Sequence, residues 1–241
     1  MIVIVNKKVL FLAVVVLIVL LVASGGIFLF ARDTEPLPTL VPQTSEKPIE
    51  AGQEDSQFIA FACNVDWGNE VIPEMLKILE EKEVKISFFV TGRWAKAYPE
   101  LYQSIVAAGH EIGSHGYEHV DYGSLTYEKN KEEIQKAETV LMESLTEKPA
   151  YFSPPSGAYN EHTLKAAQEL GYKTILWSID TIDWRKGSTR DVILKRVLDK
   201  EAFSGKIVLM HPMEETAKAL PELIDQLKLK GVEVGRVSDV L

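Results

Sequence analysis

The sequence predicts an α/β domain, a small or distorted barrel of about seven parallel strands. Three observations point there. Short continuous apolar runs alternate with longer amphipathic ones, as strands buried on both faces and their crossover helices do. Seven or so such repeats in roughly 185 residues favour a barrel over an open sheet. The chemically conspicuous polar residues also fall at the C-terminal ends of the apolar runs, where such a barrel builds its site.

The repeats follow in order. Residues 58–63, Phe-Ile-Ala-Phe-Ala-Cys, read as a buried strand, and Ile72, Met75, Leu76 and Leu79 then recur at helical spacing. A strand over 86–90 precedes a helix over 95–108, and a short strand over 111–114 leads to a histidine pair. A polar amphipathic helix over 127–145 is followed by a strand at 150–152, a helix over 162–170 and a strand over 173–179. The last units are a helix over 189–199, a strand at 207–210, a helix over 216–230 and a strand at 232–234.

Two segments precede this domain. Lys7 and Lys8 open an almost unbroken apolar run over 9–30, closed by Arg32 and Asp33. About 20 such residues span a bilayer's hydrocarbon core, whereas a cleaved signal peptide carries about 7–15. Residues 1–32 are therefore expected to be one transmembrane signal-anchor with its N-terminus cytoplasmic. Ala23, Ser24 and Gly25 offer the alternative of a cleavage site and a secreted protein. Residues 33–57, with Pro36, Pro38, Pro42 and Pro48 among Thr, Ser, Glu and Gln, read as a flexible extracellular linker. The domain is then 58–241.

Composition narrows the partners. A formal net charge of −9 argues against a nucleic-acid footprint, which would be basic. The single cysteine, Cys63, excludes an intrachain disulfide framework.

The chain has only five histidines. In Ser114-His115-Gly116-Tyr117-Glu118-His119 two stand four apart, a spacing that stacks both imidazoles on one face of a helical turn. Neutral imidazoles suit zinc or a similar borderline metal, which needs a third protein ligand and an open position for water. His211 ends the apolar run 207–210. Alternation along a strand puts Asn64 and Asp66 on one face. His110, five residues before His115, reads as structural, and His162 as surface.

Five blocks together resemble the polysaccharide deacetylase (NodB-homology, carbohydrate esterase family 4-like) family over essentially all of 58–241. They are Asn64-Val65-Asp66-Trp67-Gly68, His115 to His119, Ser153-Pro154-Pro155-Ser156-Gly157, Asp180-Thr181-Ile182-Asp183-Trp184, and Leu209-Met210-His211. The Trp-Gly form of the first block is most similar to the sporulation-type Firmicute branch. The resemblance implies a hydrolase removing N- or O-acetyl groups from peptidoglycan or another N-acetylglucosamine polymer. It implies a divalent metal, Zn2+ first, with Co2+ or Mn2+ as alternatives. His115 and His119 match the metal histidines, and Asp66 supplies the third ligand or serves as base. His211 matches the general acid that protonates the leaving group, and Asp180 its carboxylate partner. Trp67, Ser153, Pro155, Gly157, Trp184 and Leu209 would form the substrate groove, with Trp184 and Leu209 cradling the acetyl methyl.

Two departures stand out. Asn64 occupies the position of the usual base aspartate, and an amide cannot accept a proton near neutral pH. Ser153 occupies that of the arginine which holds that aspartate; Arg93 or Arg185 could bring a guanidinium back. The expectation is therefore an enzyme, with a catalytically impaired glycan-binding or structural protein as the alternative.

Overall fold

The computed structural model describes residues 47–241, together with 8, 11 and 15–17. Apart from those few, the anchor expected over 1–32 and residues 33–46 of the linker lie outside the described residues. No helix among the described residues is long and apolar enough to cross a membrane.

The strands are β1 (Phe58–Val65), β2 (Ser87–Val90), β3 (Glu111–Ser114), β4 (Tyr151–Phe152), β5 (Lys173–Thr174), β6 (Ile179–Asp180), β7 (Ile207–Met210) and β8 (Glu233–Gly235). They form one sheet in the order β5-β4-β3-β2-β1-β7-β6, with β8 also on β1. Every pairing is parallel. Ala60 pairs with Ile207 of β7 and with Gly235 of β8, so β8 and β2 share one edge of β1 end to end. The result is a curled, open barrel. The strand expected over 173–179 is instead two strands of two residues each, because residues 175–178 must cross between the two ends of the sheet.

Helices α1 (Ile72–Glu81), α2 (Gly92–Ala97), α3 (Pro99–Ala107), α4 (Tyr127–Leu141), α5 (Glu161–Glu169), α6 (Arg190–Leu198), α7 (Glu214–Leu229) and α8 (Val237–Val240) accompany it. The single helix expected over 95–108 is broken at Tyr98 (φ −129°, ψ 60°), since the ring of Pro99 drives the preceding residue out of the helical region. Thr91 caps α2 by accepting the Trp94 N–H.

Strand β1 sorts the core by alternation. Ile59, Phe61, Cys63 and Val65 join the large cluster shared with α1, α6 and α7. Ala60 and Ala62 face a smaller cluster with Phe89, Ile175, Ile207, Val237 and Val240, which fills the barrel. At the opposite end from the strand termini that carry the histidines, His110 is a buried structural residue. Its Nδ1 accepts the Ile86 N–H at 3.2 Å, and its ring meets Phe88 edge-on, centroids 5.1 Å apart. Burial, with help from Lys85, lowers its pKa to about 4.

The expected linker ends before Gln57. Ile49 donates to Thr174 and accepts from Leu176, both at 2.8 Å, so it bridges the chain as it leaves β5. Gly52 donates to Gly205 at 2.7 Å and Gln53 to Val240 at 2.8 Å, while the Gln53 side chain holds the Leu241 carbonyl.

Two outcomes follow from this packing. A chain starting at residue 58 should melt about 5–10 °C below one starting at 47, from several lost hydrogen bonds at about 1 kcal/mol each; equal melting temperatures would show the 49–53 contacts to be idle. Acid should also weaken the fold through His110. The unfolded chain takes up this proton near pH 6.5, but the folded one only near pH 4. The resulting stability is complete above 6.5 and lost as pH falls to about 4. His110→Asn, which retains an acceptor without a titrating group, should flatten that part of the melting profile relative to wild type.

Candidate functional site

The inner faces of the strands converge at their C-terminal ends. Continuing the Ala60, Ala62 series brings Asn64 to the end of β1, while Asp180 ends β6 and Leu209 lies on β7. His115 and His211 are the first residues past β3 and β7. These five, with Trp67, His119 and Trp184 from the loops, line one cleft of about 350 Å³. Ser156 and Trp177 complete it.

The histidine pair is held by a loop, not the helical turn expected. Gly116 takes φ +74° directly after His115, and a Cβ there would lie 2.0 Å from the Tyr122 hydroxyl oxygen. Only glycine fits this turn, and it ends any helical path. The rings of His115 and His119 still approach to 5.3 Å between centroids. His115 Nδ1 donates to the Ser153 carbonyl at 2.6 Å, which leaves its Nε2 lone pair free. Burial, then the neighbouring His119, lowers the His115 pKa to about 3. Burial also lowers that of His119.

Asp66 is fully engaged. Its Oδ1 accepts from Thr91 Oγ1 and from Arg93 Nε, both at 2.7 Å, and its Oδ2 accepts from Arg93 Nη2. Burial pushes this carboxyl up, but the hydrogen bonds from Arg93 and Thr91 outweigh it and hold it below the usual carboxylate range. Of the two candidate arginines, Arg93 meets Asp66, whereas Arg185 lies on a neighbouring groove. Asn64 Oδ1, buried in the cleft wall, has no hydrogen-bond partner among the described residues.

This donor set does not fit a three-ligand zinc centre as folded. Two neutral imidazoles suit a borderline cation, but the anionic third donor is committed to a guanidinium. Among the described residues no group of three His, Cys, Asp or Glu side chains stands ready to hold a metal ion.

His211 has a carboxylate partner, but not the one expected. His211 Nδ1 hydrogen-bonds Asp183 Oδ1 at 2.8 Å, while the His211 N–H and Thr216 Oγ1 both donate to Asp183 Oδ2 at 2.7 Å. A carboxylate only accepts, so Nδ1 carries the proton and Nε2 is left for the cleft. Asp180 instead accepts the Ile182 N–H at 2.7 Å and lines the cleft. Alternation could not choose between the two aspartates, because the chain leaves the strand at Thr181 and turns through Ile182 at φ +53°.

Trp67 stacks on His211, centroids 5.4 Å apart at 10°, and meets His119 edge-on at 5.7 Å. Its position is fixed by Gly68 (φ +77°), where a Cβ would fall 2.1 Å from the Pro212 carbonyl oxygen. Of the groove residues expected, Trp67, Trp184 and Leu209 line the cleft. Ser153 and Pro155 are buried, and Ser153 acts through its carbonyl. Ser156, at φ +56°, faces the cleft where Gly157 was expected. Thr91, Thr216 and Trp177 carried no sequence signal, since their roles exist only through contacts distant in the chain.

The family described as polysaccharide deacetylase matches residues 52–175. The uncharacterised protein YlxY of Bacillus subtilis is 38% identical over 195 residues, 81% of this chain and 60% of that protein. A peptidoglycan-N-acetylglucosamine deacetylase of Bacillus cereus is 34% identical over 167 residues, 67% of this chain and 60% of that protein. The chain thus spans about 60% of the length of both relatives. The crystal structure of a CE4 family pseudoenzyme from Bacillus anthracis superposes with TM-score 0.77 at 36% identity, covering 80% of this chain and 68% of that one. A mutant of that pseudoenzyme with restored enzymatic activity superposes equally well, at 0.78.

The assignment of Asp183 is checked by imidazole NMR. Asp183→Asn should shift or abolish the His211 Nδ1–H resonance and cost about 1–3 kcal/mol, because three donors lose a buried anionic acceptor. Asp180→Asn should leave that resonance in place.

Proposed function

The chain belongs to the polysaccharide deacetylase family, and from that premise we propose that its domain binds acetylated amino-sugar strands of the cell wall and releases acetate poorly. The observation that carries this reading is the commitment of both Asp66 oxygens to Arg93 and Thr91. Residue 64 is an amide, and Asp66, held below the usual carboxylate range by Arg93 and Thr91, is a weak acceptor for a proton from attacking water. What persists is a binding surface. Trp67 and Trp184, 37% and 52% exposed, border the cleft and offer apolar ring faces to sugar C–H groups. Leu209 supplies an apolar patch for an acetyl methyl.

The names of the relatives support the ligand class and the impairment alike. One acts on peptidoglycan N-acetylglucosamine, and the similar crystal structure is of a pseudoenzyme. Read as a membrane anchor, the N-terminal apolar run would place the domain outside the cell, beside that polymer.

The intact His211–Asp183–Thr216 constellation favours a second reading, a working hydrolase. In it His211 Nε2, oriented by Asp183, would hold the proton delivered to the leaving amine or alkoxide, and Asp66 would have to be released from Arg93.

Acetate release and binding separate the two. The full chain should bind N-acetylglucosamine oligomers in calorimetry, and Trp184→Ala should weaken binding about tenfold, the loss of roughly 1.4 kcal/mol of buried ring contact. Acetate release should lie within about tenfold of the His211→Ala control, whereas working acid–base catalysis contributes about 10²–10⁴-fold. A gap of that larger size would establish the hydrolase instead.

A further inference from the structure

We infer that the cleft prefers an amino sugar whose nitrogen is free, and so an ammonium, over an acetylated one, with Asp180 holding the charge. This deepens the reading above and rests on its assignment of the cleft to amino-sugar strands.

Charge is the first ground. Asp180 is the one carboxylate among the described residues that line the cleft, and none of them is Lys or Arg. Its Oδ1 accepts the Ile182 N–H at 2.7 Å, while its Oδ2 has no hydrogen bond or ion pair among the described residues. Arg196 Nε reaches Asp180 at 2.9 Å, but through the main-chain carbonyl, so the carboxylate is left for the cleft.

Placement is the second. Asp180 pairs with Leu209 across β6 and β7, and Leu209 is the patch an acetyl methyl would use. Paired residues of adjacent strands point the same way, and both of these line the cleft. A carboxylate therefore borders the spot where the substituent of the sugar nitrogen comes to rest. An acetamide there turns a methyl or a second oxygen acceptor toward that carboxylate, and its single N–H is all it can donate. An ammonium has three donors and no acceptor, and its bond to a carboxylate is charge-assisted.

The other free atoms suit the hydroxyls of the same sugar. Asn64 Oδ1 is a buried acceptor without a partner among the described residues. His115 gives its Nδ1 proton to the Ser153 carbonyl, which leaves Nε2 as an acceptor. The indole of Trp184, 52% exposed beside the cleft, adds an electron-rich face that attracts a cation as well as sugar C–H groups. The strands sought are then those from which another hydrolase has already removed acetate.

The test is calorimetry of the full chain with tetrasaccharides of glucosamine, N-acetylglucosamine and glucose, at about pH 6, where an amine is charged. The glucosamine tetramer should bind about tenfold more tightly than either of the others, the worth of one charge-assisted contact. Asp180→Asn keeps Oδ1 for the Ile182 N–H and removes the charge, and in it the preference should vanish. A preference that survives Asp180→Asn would come from the general attraction of a cation to a chain of net charge −9, and would overturn the inference. So would a glucosamine tetramer that binds the wild-type chain no better than the glucose tetramer, a comparison that decides the matter where the variant folds poorly. The reading above fails on other observations. Rapid acetate release from the N-acetylglucosamine tetramer, or its failure to bind, would leave the glucosamine-to-glucose comparison intact.

Discussion

The barrel hangs on strand β1. It is hydrogen-bonded by β2 and β8 along one edge and by β7 along the other, so three strands take their register from it. Its inner positions are alanines where the barrel is tightest, and Phe89, Ile207 and Val237 fill the space those small side chains leave. The same alternation carries Asn64 to the rim. A one-residue slip of β1 would turn Asn64 outward and drive phenylalanine into the barrel, so packing in the interior fixes the chemistry at the mouth.

At that mouth each aspartate is settled by a different kind of partner. Asp66 has a guanidinium and a hydroxyl, Asp180 a backbone N–H, and Asp183 an imidazole, a backbone N–H and a hydroxyl. The two buried ones, Asp66 and Asp183, have the most partners, as a buried charge requires. Ser153 serves through its carbonyl, which sets the tautomer of His115.

Much of this was legible in the sequence. Every strand–helix alternation used for the expectation has a counterpart, and of the residues placed at the strand ends Asn64, His115, His119, Asp180 and His211 share one cleft, whereas Asp66, Ser153 and Asp183 do not line it. What failed did so for identifiable reasons. The 95–108 helix ignored the reach of Pro99 onto Tyr98. The helical reading of His115 and His119 ignored that Gly116 between them takes a left-handed backbone. Asp180 and Asp183 lie three apart around a turn whose left-handed Ile182 no periodicity reveals, so the partner of His211 could be named only from the folded chain. Residues 49–53 lack any apolar period, yet backbone hydrogen bonds, which leave no mark on side-chain type, hold them to the domain.

The contact between Gly68 and Pro212 bears on how a ligand would be received. With no clearance between the loops after β1 and β7, the Trp67 indole already lies against His211 before anything binds. The ordering of that wall is a cost met during folding, so association need not freeze an indole rotor and its loop, a loss that otherwise runs to about 0.5–1.5 kcal/mol for each immobilised side chain. A ligand received there would meet a preformed wall and be selected by its shape, with little slack for a poor fit.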